Sequence, residues 1–128
     1  MEIVNPPELG QPKGYNNGII ADGRLLFVAG QVGWNSEQKI TSDRFTDQFA
    51  QALANILTVV RKAGGDASNI ARLLIFVTDK SEYLAEVKEV GAAYRHVMGR
   101  HFPAMTLVEV KSLLEERAKV EIEAIAVL

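Results

Sequence analysis

The residues best placed to do chemistry lie at the end of the chain. The run KVEIEAIAV, residues 119–127, alternates apolar with polar or small side chains. At period two it reads as a strand, with Val120, Ile122 and Ala124 on one face and Glu121, Glu123 and Ile125 on the other. Carboxylates are rarely buried without a partner, so two of them beside Ile125 and Val127 need a reason. Two readings fit. Either this face is wet, or Glu121 lines a pocket and transfers protons. Glu123 and Glu109 are the alternative carboxylates, and the Tyr15 phenol and Gln31 amide could supply a hydrogen-bonding rim.

Other chemistries find no support. The chain has no cysteine, which removes a thiol nucleophile, cysteine-ligated zinc and disulfides. His96 and His101 stand five residues apart across Gly99 and match no HExxH spacing. No GxSxG nucleophile elbow occurs. Gly30-Gln31-Val32-Gly33-Trp34 is neither a P-loop nor a GxGxxG fingerprint. No metal-ligand set is visible and no cofactor is expected. The net charge is −2, without a basic run, so nucleic acid is not an expected partner.

The 128 residues suit a single domain, 1–128, and 48% hydrophobic with 23% charged residues is ordinary globular composition. MEIVNPPELG lacks the basic and apolar blocks of a signal peptide, and no apolar run is long enough to span a membrane. The expectation is a soluble cytoplasmic protein.

The elements that must hold these side chains follow from periodicity. Residues 5–17 read as an extended lead-in. Residues 18–21 and 24–29, joined by Asp22-Gly23, predict a hairpin with a type I′ turn. Residues 43–63 carry an apolar stripe of Phe45, Phe49, Leu53, Ile56 and Val60 and predict a helix, capped among Thr41, Ser42 and Asp43 and ended by Gly64-Gly65. Residues 70–77 predict a strand buried on both faces. Asp79-x-x-Glu82 resembles a capping box opening a second helix, with Tyr83, Val87, Val90, Tyr94 and Val97 inward. Residues 102–110 and 119–127 predict paired strands. The order β-β-α-β-α-β-β gives an α/β (α+β) fold, a mixed sheet with two helices on one face. The other face would be apolar and bare, which predicts self-association.

In order along the chain, Gly14-Tyr15, Phe27-Val28-Ala29-Gly30-Gln31-Val32, Gln51 and Asn55 before Ala63-Gly64, Phe76-Val77-Thr78-Asp79, Tyr94, Phe102-Pro103-Ala104 and Val120-Glu121-Ile122-Glu123-Ala124-Ile125-Ala126 resemble the reactive intermediate deaminase family. This is the YjgF/YER057c/UK114 group, also labelled endoribonuclease L-PSP. The resemblance implies a chorismate-mutase-like fold, a homotrimer with clefts between subunits, and hydrolysis of enamines and imines such as 2-aminoacrylate. It implies that Tyr15 is the pocket tyrosine and that Glu121 positions and activates water. Leu107 sits where a backbone carbonyl helps hold that water. Gly91 replaces an asparagine. Gln31 and Trp34 are further candidates for the cleft.

The main departure is Met105, which stands where the deaminases of amino-acid-derived imines carry an arginine that grips the substrate carboxylate. Methionine offers only a weak acceptor. Losing such a clamp removes ~2–3 kcal/mol and on the order of 10² in rate through lost orientation. The resemblance therefore implies an enamine or imine hydrolase for a small molecule other than 2-aminoacrylate. The alternative is a non-catalytic trimer that binds a small ligand or another protein. Ribonuclease activity is the weakest reading.

Overall fold

The computed structural model describes residues 1–128. The order is β1 (Glu2–Val4), β2 (Gly18–Ile20), β3 (Leu25–Val32), α1 (Phe45–Lys62), β4 (Ile70–Val77), α2 (Lys80–Ala85), α3 (Val87–Met98), β5 (Ala104–Glu109) and β6 (Val120–Val127), with short 3₁₀ turns at Pro7–Leu9 and Ala67–Asn69. Four strands form a mixed sheet in the order β3-β6-β4-β5, while β1 and β2 form a separate antiparallel pair. β6 runs antiparallel to both its neighbours, and β5 runs parallel to β4. No helix is long and apolar enough to cross a membrane.

The helices cover one face of this sheet. Phe45, Phe49, Leu53, Ile56 and Val60 of α1 join Val90, Tyr94 and Met98 of α3 in one core. From the sheet this core receives Val28, Leu73, Ile75, Val77, Val120, Ile122, Ala124 and Ala126. The alternate residues point to the bare face, where Leu25 and Phe27 are exposed and Phe76 and Ile125 are half-buried. An exposed apolar sheet face of this kind is uncommon on a monomer.

Four expectations are corrected. First, the Asp22-Gly23 hairpin does not form, because β2 pairs with β1 and β3 with β6. The turn instead delivers Arg24 to the C-terminus, where its N–H donates to the Leu128 carbonyl and its carbonyl accepts from the Leu128 N–H. Gly23 has φ +144°, and a Cβ there would stand 2.2 Å from the Leu128 carbonyl oxygen, so glycine is required. Second, β5 and β6 do not pair with each other, because β4 lies between them.

Third, the second helix is broken at Glu86, between α2 and α3. Glu86 turns toward the start of α1. Its Oε1 accepts from the Thr46 hydroxyl at 2.5 Å and the Thr46 N–H at 3.3 Å, and it pairs with Arg44 at 3.3 Å. Fourth, the capping box is only half made. Asp79 accepts from the Ser81 N–H, but Glu82 pairs with Lys119 at 2.8 Å.

The entry to β6 is fixed by a buried glutamine. Gln48 on α1 donates to the Ser42 and Arg117 carbonyls and accepts from the Lys119 N–H at 2.8 Å, so all three of its bonds hold neighbouring loops. Arg117 in turn pairs with Asp43 at 2.8 Å. Glu121 begins two residues beyond this anchor, on a strand whose position is therefore set.

Candidate functional site

One concave site stands between the helices and the edge of the sheet, with a volume of about 670 Å³. That lies in the usual range for small-molecule sites, ~300–1,000 Å³. Tyr15, Gly91, Met105 and Leu107 all line it. They come from four places: the lead-in segment, the middle of α3, and two positions on β5 whose side chains face the helices. Leu73 and Ile75, their partners across the β4–β5 ladder, belong to the core.

The lead-in segment is held there by asparagines. The Asn16 N–H donates to the Pro103 carbonyl at 3.2 Å, and its amide donates to the Phe102 carbonyl at 2.5 Å. Asn5 braces it, donating to Asn16 at 2.8 Å and accepting the Asn17 N–H at 2.8 Å. Lys13, Gly14 and Tyr15 are thereby set at the mouth. The walls are aromatic and aliphatic. Tyr94 and Phe102 stack with ring centroids 5.3 Å apart, and Phe49, Ile75, Tyr83, Val87 and Val90, with Arg95 of α3, complete the lining.

Two polar groups nearby, the buried Tyr94 hydroxyl and the half-buried His101 ring, are each hydrogen-bonded to a backbone carbonyl. The Tyr94 hydroxyl donates to the His101 carbonyl at 2.6 Å. Burial also pushes its pKa well above the ordinary phenol value, so it stays protonated. His101 Nε2 lies 2.6 Å from the Ile70 carbonyl oxygen, which can only accept, so the ring proton is committed there. His96 is exposed. No group of three or more potential metal ligands is assembled anywhere in the chain.

Glu121 is not in this cavity. It faces the other side of the sheet, opposite Phe76 on β4, while its neighbours Val120 and Ile122 are buried under the helices. It is half-buried, and no ion pair in the chain engages it. Its carboxylate lies directly over Gly30. A Cβ at Gly30 would stand 2.6 Å from Oε2 and 2.8 Å from Cδ of Glu121. Gly30 belongs to a bulge in β3, where the register to β6 shifts between Val28 and Gln31. Bulges of this type re-aim side chains beside functional sites.

The remaining candidates are spread out. Gln31 follows the bulge and donates its amide to the Ala29 carbonyl at 3.1 Å. Trp34 packs with Val32, Ile40 and Ala118 in a small separate cluster. Asn55 on α1 holds this end of β3 by donating to the Val32 and Trp34 carbonyls. Glu109 accepts the Lys80 N–H at 2.9 Å, a structural role at the start of α2, and Glu123 is exposed.

Within one chain, then, the main candidates occupy two separate places. One is an apolar cavity under the helices. The other is a glycine-backed carboxylate on the bare sheet face. Sequence reasoning passed over Gly30 and Arg95 as site residues. The signal for Gly30 was a glycine inside a strand, which marks a bulge or a close approach.

The chain has recognisable relatives. Residues 8–128 match the sequence profile of the family described as endoribonuclease L-PSP. A RutC family protein, PH0854 of Pyrococcus horikoshii, is 31% identical over 126 residues, covering 98% of this chain and 96% of the relative. The human 2-iminobutanoate/2-iminopropanoate deaminase is 25% identical over 114 residues, covering 88% and 79% respectively. Among solved structures, YyfB of Yersinia pestis, a Rid-family protein of unknown function, superposes with a TM-score of 0.86 at 28% identity, covering 99% of this chain and 98% of that one.

Proposed function

The chain belongs to the endoribonuclease L-PSP family, the Rid (YjgF) group, and from that premise we propose that it is an enamine or imine hydrolase whose site is shared between subunits of a homotrimer. The observation that carries the reading is the division of the half-sites. Tyr15, Gly91, Met105 and Leu107 line a cavity whose walls carry no carboxylate and no histidine, and Glu121 stands without an ion-pair partner on the face of the sheet that nothing covers. Packing that bare face against a neighbour would bury Leu25 and Phe27 and bring one copy's Glu121 to another copy's cavity. A deaminase named for imines among the relatives supports the reaction class.

In this reading the substrate lies in the cavity with its C=N carbon toward the neighbour's Glu121. The carboxylate takes a proton from water as the oxygen bonds to that carbon and passes it to the nitrogen, giving a carbinolamine. Glu121 then carries the carbinolamine hydroxyl proton to the nitrogen as the C=O bond forms and the C–N bond breaks. The products are a carbonyl compound and ammonia, and Glu121 returns to its carboxylate form. Gly30 keeps the space in front of the carboxylate open for water.

Met105 puts no charge on β5, and the cavity of about 670 Å³ is larger than a three-carbon acid would fill, so 2-aminoacrylate is not the proposed substrate. Ribonuclease chemistry is disfavoured by the net charge of −2, by the apolar cavity and by the engagement of His101. The test is ammonia release from a panel of imines generated in solution. Glu121→Gln keeps shape and removes the proton acceptor, so turnover of a responsive imine should fall by ~10²-fold or more with assembly intact. A wild-type rate in that variant refutes the mechanism. Ligand binding with no imine turned over would make the protein a binding trimer instead.

A further inference from the structure

Arg95 is placed where the fold itself does not require it. It lies one helical turn beyond Gly91 on α3, and its side chain runs back toward the helix N-terminus, as helical side chains do. Its Nη1 stands 3.3 Å from where a Cβ on Gly91 would be. Glycine inside a helix is unfavourable, and no positive φ requires it at position 91. What it provides is a floor on which the guanidinium lies.

That guanidinium is uncommitted. Arg44, Arg61 and Arg117 each engage a carboxylate, whereas Arg95, like Arg24, Arg72 and Arg100, pairs with none, and of the four unpaired arginines only Arg95 lines this cavity. It lines the cavity together with Lys13, and no carboxylate lines it. A pocket with aromatic and aliphatic walls and two cations fits an organic anion with an apolar body. A planar, always charged fork binds a carboxylate by two parallel bonds. The volume of about 670 Å³ exceeds what a three-carbon acid would fill.

We propose that Arg95, laid over Gly91, is the carboxylate-binding residue of this cavity, with Lys13 as a second cation, and that the ligand is an α-imino acid with a bulky apolar or aromatic side chain. The carboxylate sits at Arg95, and the side chain lies among Tyr83, Val87, Val90, Tyr94 and Met105. Arginine at the Met105 position would put the charge on β5, whereas here it comes from α3, and the methionine becomes apolar wall. The proposal deepens the imine-hydrolase reading and rests on it for the reaction, but the binding can be measured alone.

The probe is phenylpyruvate, the keto acid that such an imine would yield, titrated calorimetrically into the intact protein. Its neutral counterpart is 1-phenylpropan-2-one, which lacks the carboxylate. Arg95→Gln, an exposed change that leaves the core untouched, should weaken phenylpyruvate by about 10- to 100-fold, the worth of a charge-assisted forked bond. Arg95→Lys should fall between, and the neutral ketone should bind equally to all three proteins. Unchanged phenylpyruvate affinity in Arg95→Gln overturns the proposal, as does no binding to the wild type. Inorganic phosphate displacing phenylpyruvate at equal concentration would also overturn it. Arginine-dependent binding with no imine turned over leaves the proposal standing and removes the hydrolase. Turnover of an aromatic imine with unchanged kcat/KM in Arg95→Gln does the reverse.

Discussion

Replacing Gly30 by alanine adds one methyl group in front of Glu121 and nothing else. The new carbon would stand 2.8 Å from Cδ and 2.6 Å from Oε2 of that carboxylate. Carbon–carbon contacts are most favourable at about 3.5–4.0 Å, so the carboxylate must retreat by roughly 0.7 Å. A displacement approaching 1 Å at a reacting group costs about 10²-fold in rate. The fold should not suffer. Gly30 is exposed and its φ is not positive, so alanine fits the backbone. Removing a glycine also restricts the unfolded chain, which favours folding by about 0.4–1 kcal/mol. The expected result is a thermal midpoint equal to or above wild type, with kcat for a responsive imine down by about 10²-fold. Steady-state ammonia release and a melting curve on the same preparation measure both. An unchanged kcat in a folded Gly30→Ala protein would mean that Glu121 does not act from the position found here.

Two other outcomes follow from the same geometry. Phe27→Glu puts a charge on the bare sheet face, where Phe27 is 70% exposed in the single chain. If that face is covered in the assembly, the unpaired charge should dissociate or unfold it, and light scattering of a stable trimer carrying the change would contradict the interface. Acid should destabilise the fold through Glu86, Asp43 and Asp79. The Thr46 hydroxyl holds the Glu86 pKa below its ordinary value, the Arg117 guanidinium lowers that of Asp43, and the Ser81 hydroxyl that of Asp79. Because the folded values are depressed, the stability they add is complete above the unfolded-chain values, about 4, and is lost as pH falls through the folded ones. Unfolding midpoints followed from pH 6 downward should therefore fall below about pH 4, less steeply in Glu86→Gln; midpoints that rise with acid would contradict the assignment.

Much of the fold was legible because it is written in local periodicity. The stripe from Phe45 to Val60 gave α1 to within two residues, and the two-sided apolar run gave β4 as Ile70–Val77. Partner choice between strands was less legible, since it is decided far away in sequence. Asp22-Gly23 carries a strong hairpin signal, yet β2 pairs with β1 while β3 pairs with β6 and keeps its outer edge free, and Gly23 serves a close contact with Leu128 instead. The break at Glu86 was hidden for the same reason, because its cause is Thr46, forty residues away. For the site, the resemblance named residues, and the structure distributed them. Tyr15, Gly91, Met105 and Leu107 come together because Asn16 pins the lead-in segment to the start of β5. Glu121 parts from them by the parity of a strand, which alternation along β6 already implied. Arg95 was hidden because nothing in the sequence says that its side chain lies back over Gly91.

The central claim is that a site is made from one copy's cavity and another copy's Glu121. Subunit mixing tests it most directly. Leu107→Trp should fill the cavity and leave Glu121 intact, while Glu121→Gln leaves the cavity intact and removes the carboxylate. Each variant alone should release little ammonia from a responsive imine. Co-expressed and purified as mixed assemblies through two different tags, they should regain a substantial fraction of wild-type activity, because some interfaces then join an intact cavity to an intact glutamate. Mixed assemblies as inactive as either parent, with both chains present and folded, would contradict the shared site.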